Sequence, residues 1–190
     1  MAKQHDKIIV LDLEATCWEG YPPEGQKSDI IEIGFCLLDL RTLERTDKNS
    51  IIIKPTRSKV SEFCVGLTTL TQDMVDTGTT FENAMNTLRE YGAKRKRAWA
   101  SWGDYDRRQI EKQCRDMRID YPFGVTHLNV KSLFTVLMGM NKEVGLGEAV
   151  KRVTYKEFDG TQHRGVDDAW NIAMVLSKLL GRFREGGISL

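Results

Sequence analysis

Two acids stand inside the first apolar run of this chain, and that placement limits what it can fold into. Lys7 to Leu13 reads KIIVLDL and continues as Glu14-Ala15-Thr16. A short, continuous apolar run of this kind reads as a buried strand. An ionised carboxylate in such a strand is costly unless something compensates its charge. Positions two apart on a strand share a face, so Asp12 and Glu14 present paired carboxylates to one side. A divalent cation would remove the repulsion between them. Oxygen-only ligands suit Mg²⁺ or Mn²⁺ better than zinc. A solvated strand end would also tolerate two acids, so other parts of the chain must supply the partners.

Further strands are expected at Ile30 to Leu40 (IIEIGFCLLDL) and Ser50 to Lys54 (SIIIK), the latter closed by Pro55. Three apolar runs separated by turn signals suggest a meander. The spacing then predicts a short helix over Thr68 to Val75 and another over Phe81 to Tyr91, capped by Thr79 or Thr80. A strand at Arg97 to Trp102, a helix at Asp106 to Arg118 and a short strand at Thr126 to Val130 follow. Helices are expected at Lys131 to Met138 and Gly147 to Arg152, and a long amphipathic helix at Asp167 to Phe183. A meander followed by alternating strands and helices is the pattern of an α/β fold, a mixed sheet with helices on its faces. With 190 residues, 41% of them hydrophobic, one domain over residues 1–190 with a core at about 7–183 is expected.

The net charge is +1, so global charge argues neither for nor against a nucleic-acid partner. Cys17, Cys36, Cys64 and Cys114 show no metal-ligand spacing and are expected as small core or boundary residues. No signal peptide and no bilayer-length apolar run is visible. A cytoplasmic protein with reduced thiols and no membrane partner is the expectation. The oligomeric state is not legible.

Acids and a histidine recur far from the first strand. His163 lies in a glycine-containing loop, five residues before Asp168, and Asp167 and Asp168 open the long helix. Acids in a first turn favour the helix terminus electrostatically, which accounts for Asp167 without any further role. A neutral imidazole beside a carboxylate can take a proton from water. Between the two regions, Ser101-Trp102-Gly103-Asp104-Tyr105-Asp106 joins a strand to a helix. Asp106, at the helix start, is favoured as a ligand, with Asp104 as the alternative. Together these residues make what a two-metal phosphoryl-transfer site needs.

The residues also resemble a known family. LDLEATCWEG (Leu11 to Gly20), FCVGLTTLTQDMV (Phe63 to Val75), WGDYDRRQIEKQC (Trp102 to Cys114) and FDGTQHRGVDDAWNIA (Phe158 to Ala173) resemble, in order, the motifs of the DEDDh 3′→5′ exonucleases. Within that group the chain is similar to the small RNA-trimming enzymes that act on histone-mRNA ends and small RNAs, and to bacterial relatives of the sporulation-inhibitor type.

The resemblance implies a ribonuclease H-like fold with a five-stranded mixed sheet flanked by helices. It implies that Asp12, Glu14 and Asp168 hold one metal, and that Asp12 bridges to a second near Asp106. His163 would be the general base. Glu14, Ala15, Thr16 and His163 would contact the terminal nucleotide, and Leu67, Leu70 and Thr71 would line its base pocket. The segment from the motif II acid to Cys114 is one residue shorter than in the eukaryotic members, which leaves Asp104 and Asp106 both open there.

The expected activity is release of nucleoside 5′-monophosphates from 3′ ends of single-stranded nucleic acid, RNA favoured over DNA, with two Mg²⁺ or Mn²⁺ ions. The alternatives are a phosphodiesterase acting on small nucleotides with the same acids, and a non-catalytic binding module. The second would require a lost acid, and every expected position is filled. Lys94-Arg95-Lys96-Arg97 could grip phosphates or form a solvated turn, the latter favoured. Trp18 and Tyr21 could stack on bases or pack on the sheet edge, and Trp99, Trp102 and Trp170 read as core or boundary residues.

Overall fold

The acid-bearing run forms β1 (Lys7–Ala15), the middle strand of a five-stranded sheet in the order β3-β2-β1-β4-β5. The structure is a computed structural model that describes residues 6–92 and 97–186. β2 (Ile30–Asp39) pairs antiparallel with β1, and β3 (Arg45–Ile52) antiparallel with β2. β4 (Trp99–Ser101) and β5 (His127–Asn129) add in parallel on the other side. The sheet is therefore mixed, as expected.

The third strand starts five residues before the expected Ser50 and ends at Ile52 rather than Lys54. Its first half, Arg45 to Asn49, is polar and carries no apolar signal. It lies at the sheet edge, where side chains can face water and need not be apolar. Ile53, just past the strand, forms an isolated bridge to Thr79, and its N–H donates to the Ile31 carbonyl at 2.9 Å.

The short helix expected over Thr68 to Val75 is instead two. α1 (Glu62–Thr68) is capped by Ser61, whose side chain accepts the Cys64 N–H, and ends at Thr69 in a left-handed conformation. α2 (Gln72–Asp76) starts afresh from Thr71, which accepts the Met74 N–H. Each cap satisfies one donor that the helix start leaves open. α3 (Phe81–Tyr91) is capped by Thr80. α4 (Tyr105–Met117), α5 (Val130–Leu137), α6 (Leu146–Thr154) and α7 (Gly165–Glu185) complete the fold. Among the described residues no helix is long and apolar enough to cross a membrane.

The alternation of β1 divides the core. Ile9, Leu11 and Leu13 face a cluster with Met85 and Leu88 of α3 and Ile110 of α4. Ile8 and Val10 face the opposite cluster, with Val150 of α6 and Ile172 and Leu176 of α7. Asp12 and Glu14 continue the Ile8–Val10 row, so the acids begin where the apolar floor beneath α7 ends. On β2 the partners along this row are Leu38, Cys36, Gly34 and Glu32. Cys36, Cys64 and Cys114 are buried and Cys17 is partly so, and all four are free thiols. Trp99 is fully buried, while Trp102 and Trp170 lie at the boundary. Lys94 to Lys96 fall outside the described residues.

The start of α7 lies directly on the sheet. A Cβ built on Gly34 would fall 1.9 Å from the Gly165 carbonyl carbon, and one built on Gly165 would fall 3.0 Å from the Asp12 carbonyl oxygen. Only backbone separates β1, β2 and the helix there. Gly34→Ala should therefore destabilise the fold by at least about 1–3 kcal/mol, the range for overpacked cores. For a chain of this size that is roughly 2–4 °C of melting temperature per kcal/mol. A thermal unfolding curve that superposes on the parent's would refute the close approach.

Candidate active site

Four carboxylates reach one cleft from three elements. Asp12 and Glu14 come from β1, Asp106 from the first turn of α4 and Asp168 from the first turn of α7. Asp106 is buried and its Oδ1 accepts the Leu13 N–H at 3.2 Å, which fixes α4 against β1 between the two strand acids. Asp168 Oδ2 accepts the His163 N–H at 2.9 Å, which folds the loop before α7 back onto that helix. One ligand atom from each of Glu14, His163 and Asp168 lies within 4.8 Å of the others. All five residues line a cleft of about 780 Å³ that also has Trp102, Tyr105 and Lys131 on its walls.

The electrostatics follow from this crowding. Burial pushes the Glu14 carboxyl up to about 9, with Asp168 and Glu32 adding to the rise. Burial also raises Asp106 to about 7, against the hydrogen bonds it accepts, and Asp168 to about 7, against the His163 N–H. Asp12 is raised well above the usual carboxylate range by burial first and then by Asp106, Asp168 and Glu14. Shielded like charges disfavour ionisation in this way. A site with surplus negative charge, oxygen donors and one imidazole fits a divalent cation. These donors suit Mg²⁺ or Mn²⁺.

The structure places Asp104 and Asp106 differently. Asp104 sits at the N-cap of α4 with its side chain 46% exposed, and its Oδ1 lies 3.8 Å from His127 Nδ1. It is not among the cleft residues, whereas Asp106 is. Asp167, read as a helix-terminus acid, accepts from Lys48 Nζ at 2.7 Å and from the Thr161 N–H at 2.9 Å. It does not line the cleft.

The nucleotide-contact residues implied by the resemblance divide. Leu67 and Thr71 are exposed on α1 and at the head of α2. These helices pack beside the end of β1, where Cys64 Sγ lies 3.7 Å from the Ala15 carbonyl oxygen. Ala15 is buried. Two of these side chains are held inside the protein. Leu70 is fully buried in a cluster with Ile31, Cys64 and Val75, so it offers no surface to a base. Thr16 Oγ1 is held by Ser58 Oγ and by the Asp29 N–H, and its backbone N–H and carbonyl are also bonded. The polar atoms of Thr16 therefore tie the loop after β1 together. Trp18 is half-buried and Tyr21 exposed, and neither lines the cleft.

Sequence reading missed Glu32. It is fully buried and faces Glu14 across β1 and β2. The signal was present: an acid inside IIEI follows the same logic that singled out Asp12.

The exonuclease family model RNase_T matches residues 9–176, nearly all of the described sheet and helices. The chain belongs to this exonuclease family. It is 32% identical to 3'-5' exoribonuclease 1 of Homo sapiens over 93% of its own length. It spans about half (53%) of that relative. Among solved structures, it is similar to the nuclease domain of 3'hExo, a DEDDh family member bound to rAMP, with a TM-score of 0.82 and 28% identity. That match covers 98% of this chain and 96% of the other. A structure of a 3'-exonuclease on the histone mRNA stem-loop gives a TM-score of 0.84 at 28% identity, covering 94% of this chain and 64% of that one. The fold is thus the ribonuclease H-like one expected.

The raised carboxyls set a pH dependence whose sign is fixed. A group whose folded pKa lies above its unfolded value stabilises the fold at low pH and loses that contribution as pH rises through the folded value. For Glu14 the window runs from its ordinary 4.5 to about 9. In a chelating buffer the melting temperature should therefore fall by several degrees between pH 5 and 9. Mn²⁺ should restore most of it at the alkaline end. Glu14→Gln should flatten the profile and raise the alkaline melting temperature. A chelated protein whose melting temperature climbs over that range would contradict the site's electrostatics.

Proposed function

We propose that this chain is a metal-dependent 3′→5′ exoribonuclease that releases nucleoside 5′-monophosphates from single-stranded RNA. The observation that carries the reading is the convergence of Glu14, His163 and Asp168 within 4.8 Å, beside Asp12 and Asp106 in one open cleft. The similarity to exoribonucleases favours RNA over DNA.

Asp12, Glu14 and Asp168 would hold one Mg²⁺ or Mn²⁺ ion, and Asp12 with Asp106 the second. When bound, such ions would supply positive charge near the scissile phosphate and lower the pKa of a coordinated water. The protein's own groups do the rest. The His163 imidazole is exposed to the cleft beside Glu14 and Asp168 and accepts a proton as water attacks phosphorus. Asp168 holds the His163 backbone through its N–H, which aims the ring at the carboxylates. Attack breaks the bond to the 3′ oxygen of the penultimate nucleotide, and the terminal nucleotide leaves with its 5′-phosphate. Trp102, Tyr105 and Phe158 give the cleft walls aromatic surface on which bases can stack.

Single-stranded RNA carrying a 5′ label should be shortened one nucleotide at a time with Mg²⁺ or Mn²⁺ and left intact with EDTA. RNA with a 3′-phosphate should resist, and DNA of the same sequence should be cut more slowly. Equal digestion after full chelation would end this reading. Preference for a small nucleotide ester over the oligomer would replace the polymer substrate with a monomer. His163→Ala should lower kcat by about 10²–10⁴-fold, the usual worth of a positioned base. It should still bind nucleoside monophosphate, as calorimetry would record.

A further inference from the structure

Glu32 has no part in the chemistry above, yet its carboxylate is enclosed entirely in protein. Among the described residues its hydrogen-bond partners are a hydroxyl, a guanidinium and a backbone N–H, each donating to it. Ser50 Oγ donates to Oε1 at 2.6 Å, Arg164 Nε donates to Oε2 at 3.1 Å, and the Gly165 N–H donates to Oε2 at 3.1 Å. Arg164 Nη2 reaches Oε1 at 3.4 Å. Two of these partners, Arg164 and Gly165, directly follow His163.

His163 has a left-handed backbone, φ 61°, which is uncommon for a residue with a side chain. Such a conformation persists only where its surroundings over-determine it. One restraint is the His163 N–H bond to Asp168. The other is the grip of Glu32 on the next two residues. Gly165 in turn rests on the backbone of Asp12 and Gly34. A single carboxylate on β2 thus ties the sheet, the start of α7 and the turn that carries the imidazole.

We propose that Glu32 is a positioning residue, which acts through Arg164 and Gly165 to hold the left-handed turn at His163 and set the imidazole beside Glu14 and Asp168. Its catalytic consequence rests on the exonuclease reading; the anchoring itself does not. A glutamine replaces it only in part. Its NH₂ can donate to the Ser50 hydroxyl, but it then faces Arg164 Nη2, another donor, and the negative charge that holds the guanidinium is gone. A purely structural role would show instead as a large loss of stability. Glu32 repels Glu14, and Arg164 has 24% of its side chain exposed and can find water, so removing the charge should cost little stability.

The test is Glu32→Gln, with Arg164→Met and the double variant beside it. In Glu32→Gln, amide hydrogen exchange at His163 and Gly165 should speed up by about tenfold or more, as local opening becomes easier. The melting temperature should stay within a few degrees of the parent's. On single-stranded RNA, kcat should fall by about 10–100-fold, the usual effect of losing a group that orients a site residue. KM should stay within about twofold, which separates orientation from binding. The double variant should be no worse than the poorer single one, because both break the same link. Unchanged exchange at His163 would overturn the anchor, whether or not the parent protein cuts RNA. Turnover of Glu32→Gln equal to the parent's, or losses that multiply in the double variant, would overturn its effect on the imidazole. A parent that cuts no RNA would sink the exonuclease reading alone, and exchange would still decide the anchor.

Discussion

Carboxylates from β1, α4 and α7 repel one another in a cleft shielded from much of the surrounding water, and the folded chain holds them together nonetheless. The restraint comes from backbone. The Leu13 N–H grips Asp106, the His163 N–H meets Asp168, and the bare approach of Gly165 to Gly34 and Asp12 seats α7 on the sheet. Apolar burial along the inner ends of the same elements supplies the opposing free energy. The acids are confined to one end of β1, so the repulsion is local while the core spans the sheet. A bound cation would relieve the conflict at the place where phosphoryl-transfer chemistry would need positive charge.

Much of this was legible because the constraint is written in residue types. An acid inside an apolar strand flagged Asp12 and Glu14, and strand periodicity put them on one face. The mixed sheet and its long last helix follow from the order of apolar runs. Legibility failed where tertiary context overrode pattern. β3 is polar because it is an edge, so its first half gave no apolar signal. Between Pro55 and Phe81 only Thr68 to Val75 reads as helix, because the left-handed Thr69 that ends α1 and the new cap that starts α2 are not registered by periodicity.

The site was legible in its acids and less so in its walls. Asp104 and Asp106 are equivalent in a sequence; about half a helical turn separates them, and only Asp106 lines the cleft. Thr16 and Leu70 match the family pattern by position, but hydrogen bonding and packing spend their side chains inside the protein. Glu32 was overlooked because its partners, Ser50 and Arg164, are remote in sequence, and only the β1–β2 register brings it opposite Glu14.

The order in which the chain is made gives the placement of α7 one more meaning. Asp12 and Glu14 emerge from the ribosome early, whereas His163, Asp168 and the helix that seats them come more than 140 residues later. A partly synthesised polypeptide therefore holds strand acids without their opposing wall. No nascent fragment ending before α7 can assemble the complete constellation, so the site closes only when that last helix folds onto the sheet.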